Sequence, residues 1–279
     1  MTESATVASP EHPEAPPPDR RRVRSALRVV GELLITAGLV LLLFVFYAVY
    51  VTDWSTARKQ AEATDQLQTR WEQPAPAAPP PPPSTGEGFA QLYLPEFGPD
   101  FRFAVLEGTD GETLSAGPGH YVGTAWPGEQ GNFAVAGHRI GKGAPFNDLD
   151  KLDSCDPIVV ETATRWYVYR VLPMADEVAG WNGHGGDQRC QGVAPIGGPY
   201  EQVHGQRIVL PTQGEVIHPV PGQPVDLLPP DQRTRLITLT TCHPEFSAEQ
   251  RLIVHGVLTT EYPKDPAHPE LRPAELEER

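Results

Sequence analysis

Leu236-Ile-Thr-Leu-Thr-Thr-Cys242-His-Pro-Glu-Phe-Ser-Ala-Glu-Gln-Arg251-Leu-Ile-Val-His-Gly-Val-Leu258 decides how this chain is read. Two runs rich in β-branched residues flank a polar, proline-containing loop, the pattern of two consecutive strands. An antiparallel pair joined this way sets the end of the first strand beside the start of the second. Cys242 and Arg251 would then face each other at one rim of a sheet. A guanidinium there can depress a thiol pKa and can hold the oxyanion formed when a thiolate attacks a carbonyl.

Working outward, the same texture extends upstream. Gln91–Leu94, Phe101–Leu106, Asn132–Ala136, Pro157–Glu161, Arg165–Leu172 and Arg207–Leu210 are short β-branched or aromatic runs punctuated by Gly, Pro, Asp and Asn. Many short strands with turn signals indicate a mainly β sandwich or closed barrel. One short helix or turn is expected near Pro145–Leu152. Residues 173–206, glycine-rich and poor in apolar runs, read as a long surface excursion that either shapes a binding site or is an insertion without a role.

A net charge of −14 over 279 residues excludes a nucleic-acid partner, which needs basic patches to neutralise phosphates. Leu33 to Val51 is uncharged and long enough to span a bilayer, so 32–52 reads as a transmembrane anchor, a cleaved signal peptide being the alternative. Arg20, Arg21, Arg22, Arg24 and Arg28 precede it and place the N-terminus in the cytoplasm and the large C-terminal part outside. Residues 1–31 are a disordered tail with a basic flank, and 53–85 a polar stalk followed by a proline-rich linker. The folded domain is expected at 86–264 and a polar tail at 265–279.

His138, in Asn132-Phe-Ala-Val-Ala-Gly-His138-Arg139, ends another apolar strand and would exchange protons with a thiol if the fold brings it there. Each residue alone has a plainer reading: Cys242 as a small buried hydrophobe, Arg251 as a solvated strand end, His138 as a turn residue. No cofactor or metal is expected. The acidic run Asp148, Asp150 and Asp153 reads as a solvated turn rather than a calcium site.

Taken together, Thr238-Leu-Thr-Thr-Cys242, Arg251 and Ala136-Gly-His138-Arg139 resemble the active-site motifs of sortases. Gly117–Thr124 and Gly143–Leu149 resemble flanking segments of the class E, housekeeping-type group, and the similarity covers about 92–258. The resemblance implies a closed β-barrel with short helices behind one transmembrane helix. It also implies a cysteine transpeptidase that cleaves a C-terminal LAXTG- or LPXTG-like sorting signal between Thr and Gly. The acyl group would pass to an amine of a lipid-linked cell-wall precursor, the signal-bearing substrates being exported proteins. By position, Cys242 would be nucleophile, His138 general acid/base and Arg251 the donor to substrate and oxyanion. His120 and Thr241 are candidate substrate-binding residues. A pilin-polymerising enzyme with a lysine acceptor and a non-catalytic wall-binding module are the rival readings. Cys155 and Cys190 depart from the family pattern. With Cys242 taken as the free thiol outside the membrane, they either pair across the excursion, worth roughly 3–4 kcal/mol, or remain two thiols.

Overall fold

The computed structural model describes residues 20–47, 52–73, 81–265, 267–268 and 270–278. Residues 1–19 of the expected tail, residues 48–51 of the expected span and residues 74–80 of the proline run lie outside these, while residues 20–31 of that tail are helical rather than disordered. The chain divides into two bodies between Ala48 and Val49. The first contributes helix α1 (Arg20–Phe46), whose stretch Arg24–Val45 has a mean hydropathy of 2.2 and no buried share. At 1.5 Å per residue that stretch reaches about 33 Å, enough to cross a bilayer core.

The second body begins with α2 (Thr52–Trp71) and then runs β1 (Gly88–Tyr93), β2 (Arg102–Glu107), α3 (Gly111–Ala116), β3 (Gly119–His120) and β4 (Gly131–Ala136). It continues with β5 (Pro157–Glu161), β6 (Arg165–Val171), β7 (Gln206–Val209), β8 (Arg235–His243) and β9 (Gln250–Pro263). The strands lie in the order β6-β5-β1-β2-β3-β4-β8-β9, and β6 pairs with β9 to close the barrel. β7 takes the place of β6 beside the first half of the long β9. Closure removes the free sheet edges that a sandwich would leave.

Period-two alternation fills the barrel. Phe133 and Val135, Ile237 and Leu239, and Leu252 and Val254 point inward with Leu92, Val160 and Tyr169, all 2% exposed or less. Burying each such side chain stabilises by about 1.5–3 kcal/mol. The intervening residues, among them Thr238, Thr240 and Cys242 on β8, take the outer face. The expected helix near 145–152 is a 3-10 turn, Leu149–Lys151. The excursion carries 3-10 helices at Val178–Gly186, Gln188–Cys190 and Gly198–Tyr200. Cys155 and Cys190 form a disulfide there, with Trp181 and Val193 packed around it.

The polar stalk expected after the anchor is instead a wall of the folded body. Helix α2 buries Leu67 and lays Gln60 against β2, where β3 is too short to pair. The Gln60 amide accepts from Ala104 N at 2.8 Å and donates to the Ala104 and Ala116 carbonyls at 3.3 and 2.7 Å. Helix α2, before the proline run, and the strands after it therefore belong to one body. The expected polar tail is also partly docked. Leu276 packs on the Tyr93–Val159–Trp166–Val168 cluster, and Glu278 takes both Nη atoms of Arg170 at 2.8 and 2.9 Å.

Candidate active site

Three neighbouring strands build the site. β4 runs parallel to β8 with Ala136 opposite Thr240, and β9 runs antiparallel with Arg251 opposite Cys242. The β4–β8 contact continues past the strand end, where Gly137 N donates to Thr240 O at 3.0 Å. Thr241 Oγ1 donates to Gly137 O at 2.9 Å. The next step of this register brings His138 level with Cys242. On this register the positions of His138, Cys242 and Arg251 fall at the same end of three neighbouring strands, with Arg251 directly opposite Cys242.

Cys242 is a free, half-buried thiol. Arg251 is half-buried, and its Nη1 donates to Ala248 O at 3.0 Å and Gln250 O at 2.8 Å, which ties the guanidinium to the loop leaving Cys242. His138 Nε2 is shut off from solvent and has no hydrogen-bond partner among the described residues. Burial, and then the nearby Lys142 charge, hold its pKa below the ordinary imidazole value, so the neutral base is favoured near pH 7. A neutral imidazole with an unengaged nitrogen beside a thiol can take the thiol proton.

One level behind the row stand Ala136, Thr240 and Ile253. Tyr121, half-buried, places its hydroxyl 3.0 Å from Thr240 Oγ1. On the other side, Val216 from the 3-10 helix Gly214–Ile217 packs against Ile253. The approach to the thiol is therefore bounded by an aromatic ring on one flank and an apolar turn on the other.

Two expected substrate-binding residues are elsewhere. His120 is wholly buried: Nδ1 is 2.6 Å from Glu107 Oε2, Nε2 is 2.9 Å from Thr124 Oγ1, and Phe89, Trp126 and Phe133 surround the ring. It is a core polar group, out of reach of a substrate. Thr241 is 3% exposed and points away from Cys242, because neighbouring strand residues alternate faces. The neighbour that shares the face of Cys242 is Thr240. Tyr121 was missed because its hydroxyl meets β8 through a tertiary contact.

A cleft of about 300 Å³ lies between α2 and α3 and is lined by Lys59, Thr85, Asp110 and Glu112, with none of the row residues in its wall. Among the described residues no three metal-ligating side chains cluster. Of the acidic run, Asp148 pairs with Lys151 at 3.0 Å and Asp150 with Arg139 at 3.0 Å.

Comparison with known proteins gives a consistent result. A model of the sortase domain matches residues 92–259. Sortase SrtE1 of Streptomyces coelicolor is 32% identical over 88% of this chain, which spans 60% of that relative's length. Among solved structures, the SrtF sortase from Corynebacterium diphtheriae is 44% identical with a TM-score of 0.64, covering 74% of this chain and 100% of that one. Sortase E1 from Streptomyces coelicolor, solved with a tripeptide in its active site, is 30% identical with a TM-score of 0.50, over 70% of this chain and 99% of that one. With the barrel and the family match in agreement, this chain belongs to the sortase family, a family of cysteine transpeptidases.

Proposed function

We propose that this protein is a membrane-anchored, class E-like sortase that joins exported proteins to a cell-wall precursor. The row of His138, Cys242 and Arg251 on adjacent strands supports this reading most directly. His138 takes the thiol proton, and the Cys242 sulfur attacks the Thr carbonyl carbon of a LAXTG- or LPXTG-like signal. A C–S bond forms, and the carbonyl oxygen becomes an oxyanion beside the Arg251 guanidinium. Collapse breaks the Thr–Gly C–N bond, and His138 returns its proton to the leaving glycine amine. An acceptor amine then attacks the thioester, His138 removes the amine's proton, and the C–S bond breaks to regenerate the thiol. The cluster of arginines at the start of α1 supports a cytoplasmic N-terminus and an extracytoplasmic barrel.

The test is transfer by residues 52–279 from a sorting-signal peptide to an amine, read by mass. Signals with Ala or Pro at the second position are compared, as are diaminopimelate-type and lysine acceptors. Product that vanishes in Cys242→Ala supports the enzyme. Binding to wall material by a folded wild-type protein with no turnover on any of these pairs would overturn it.

A further inference from the structure

We infer that Arg139 is a positioning residue that locks the histidine strand end to the nucleophile strand end; the inference deepens the transpeptidase reading and rests on it. Immediately past the His138–Cys242 level the chain turns over to the other face, and a second polar row runs there. Arg139 is 4% exposed. Its Nη1 is 2.9 Å from His243 Nδ1 and 3.4 Å from the Cys242 main-chain carbonyl, and its Nη2 is 3.0 Å from Asp150 Oδ2. One planar guanidinium therefore touches the residue after the nucleophile, the nucleophile's own carbonyl, and the segment that closes the histidine loop.

The loop is fixed at its other end by hydrogen bonds to the main-chain carbonyls of His138 and Arg139. Phe146 N donates to His138 O at 3.0 Å, and Asn147 Nδ2 donates to Arg139 O at 2.9 Å. The Phe146 ring lies so close to Gly137 that a Cβ there would meet it at 2.4 Å. β4 and β8 are parallel, and the segments they join lie about a hundred residues apart in the chain, so no tight turn fixes their ends. The fork of Arg139 supplies that fixed point, and a lysine has no such fork.

Stability alone does not account for this residue. Arg139 Nε is buried with no hydrogen-bond partner among the described residues, a condition that costs stability rather than adding it. Its guanidinium holds the Cys242 main-chain carbonyl and His243, and its own main chain follows His138, so it ties together the two strand ends that carry the proposed proton transfer. In this position a displacement of about 1 Å would cost on the order of 10²-fold in rate.

The test compares Arg139→Gln, Arg139→Lys and, as a control, Arg170→Gln. Arg170 is also a buried arginine held by a carboxylate, but it sits on β6 against the C-terminal segment. Melting temperature, kcat and KM for transfer, and the rate of Cys242 alkylation by iodoacetamide are measured on residues 52–279. Expected for Arg139→Gln is a kcat lower by about 10²-fold with KM within threefold, and alkylation slowed. Arg139→Lys is expected to restore melting but not kcat. Arg170→Gln should lower melting while leaving kcat and alkylation at wild-type values. Wild-type kcat and alkylation in either Arg139 variant would overturn the inference. Should Arg139→Gln not fold, Arg139→Lys decides in the same way. Should wild-type protein transfer nothing, the transpeptidase reading fails, and the alkylation rates still judge the positioning role.

Discussion

The Tyr121 hydroxyl lies 3.0 Å from Thr240 Oγ1, on the outer face of β8 and two residues before the thiol. Tyr121 follows β3 directly, and its own N–H donates to Ala134 O at 2.9 Å, so its main chain is held by β4 and its hydroxyl meets β8. It forms a fixed flank beside Cys242. Tyr121→Ala is expected to raise KM for the sorting peptide by about tenfold, the loss of about 1.4 kcal/mol of binding, with kcat changed less. Steady-state kinetics with varied peptide check this, and an unchanged KM would remove Tyr121 from the substrate path.

Arg251 is expected to act on developing charge. Its Nη1 is committed to the Ala248 and Gln250 carbonyls, which aims the remaining N–H groups without a cost in ordering them during reaction. Arg251→Gln should lower kcat by about 10²–10³-fold, with binding of an uncleaved peptide analogue altered far less. Equal losses in kcat and in analogue affinity would assign Arg251 to binding alone.

The depressed pKa of His138 sets a pH limb. Burial is the larger cause and Lys142 the second. Removing a neighbouring positive charge makes the imidazolium easier to form, so the pKa rises. Lys142→Ala is therefore expected to move the acid limb of kcat/KM to higher pH. A limb that stays in place, or moves to lower pH, would separate that titration from His138.

His255, wholly buried on β9 with Thr238 Oγ1 2.8 Å from Nδ1, has its pKa pushed down to about 3 by burial, then Arg207 and His204. Below the ordinary imidazole pKa the unfolded chain binds a proton that the folded chain refuses. Stability should fall as pH drops from about 6.5 to about 3, by up to about 1.4 kcal/mol per pH unit. Asp156, raised to about 6 mainly by burial, titrates in the opposite sense over part of that window. The difference between wild type and His255→Gln isolates the histidine. Urea titrations at several pH values should give a difference that shrinks on acidification, and a constant difference would refute it.

The Cys155–Cys190 disulfide closes a 35-residue separation and packs with Trp181 and Val193, none of the row residues among them. In the chain-entropy model it stabilises by about 4 kcal/mol. The double Cys155→Ser, Cys190→Ser variant is expected to melt roughly 8–16 °C lower with kcat at 25 °C unchanged. A lost kcat in a still-folded variant would tie the excursion to the reaction.

Some of this was legible in the sequence and some was not, for identifiable reasons. Cys242 and Arg251 could be paired from spacing because an eight-residue loop between consecutive strands leaves few registers. His138 needed the family resemblance, since a parallel β4–β8 pairing joins residues a hundred apart with no local signature. The pleat alone would have put Thr240, and not Thr241, on the face of Cys242. His120 stood in a family-like segment, but its partners Glu107 and Phe133 come from other strands. Helix α3 followed an unread cap, in which Asp110 Oδ1 accepts from Glu112 N and Thr113 N. Helix α2 looked like a solvated stalk because, among its described residues, only Thr56, Gln60 and Leu67 are buried along it, two of them polar, and composition averages them away.

The docking of α2 bears on where a soluble protein can be cut. Domain limits read from strand texture, or from the matched residues 92–259, would start an expression clone after this helix. Such a fragment would leave the Ala104 N–H and C=O unpaired on a bare stretch of β2 and uncover the surface that shelters Leu67. Open sheet edge beside apolar surface is the combination that drives strand-to-strand association. A clone begun at Thr52 keeps the lid on that edge, whereas one begun at Gly86 should elute as oligomers.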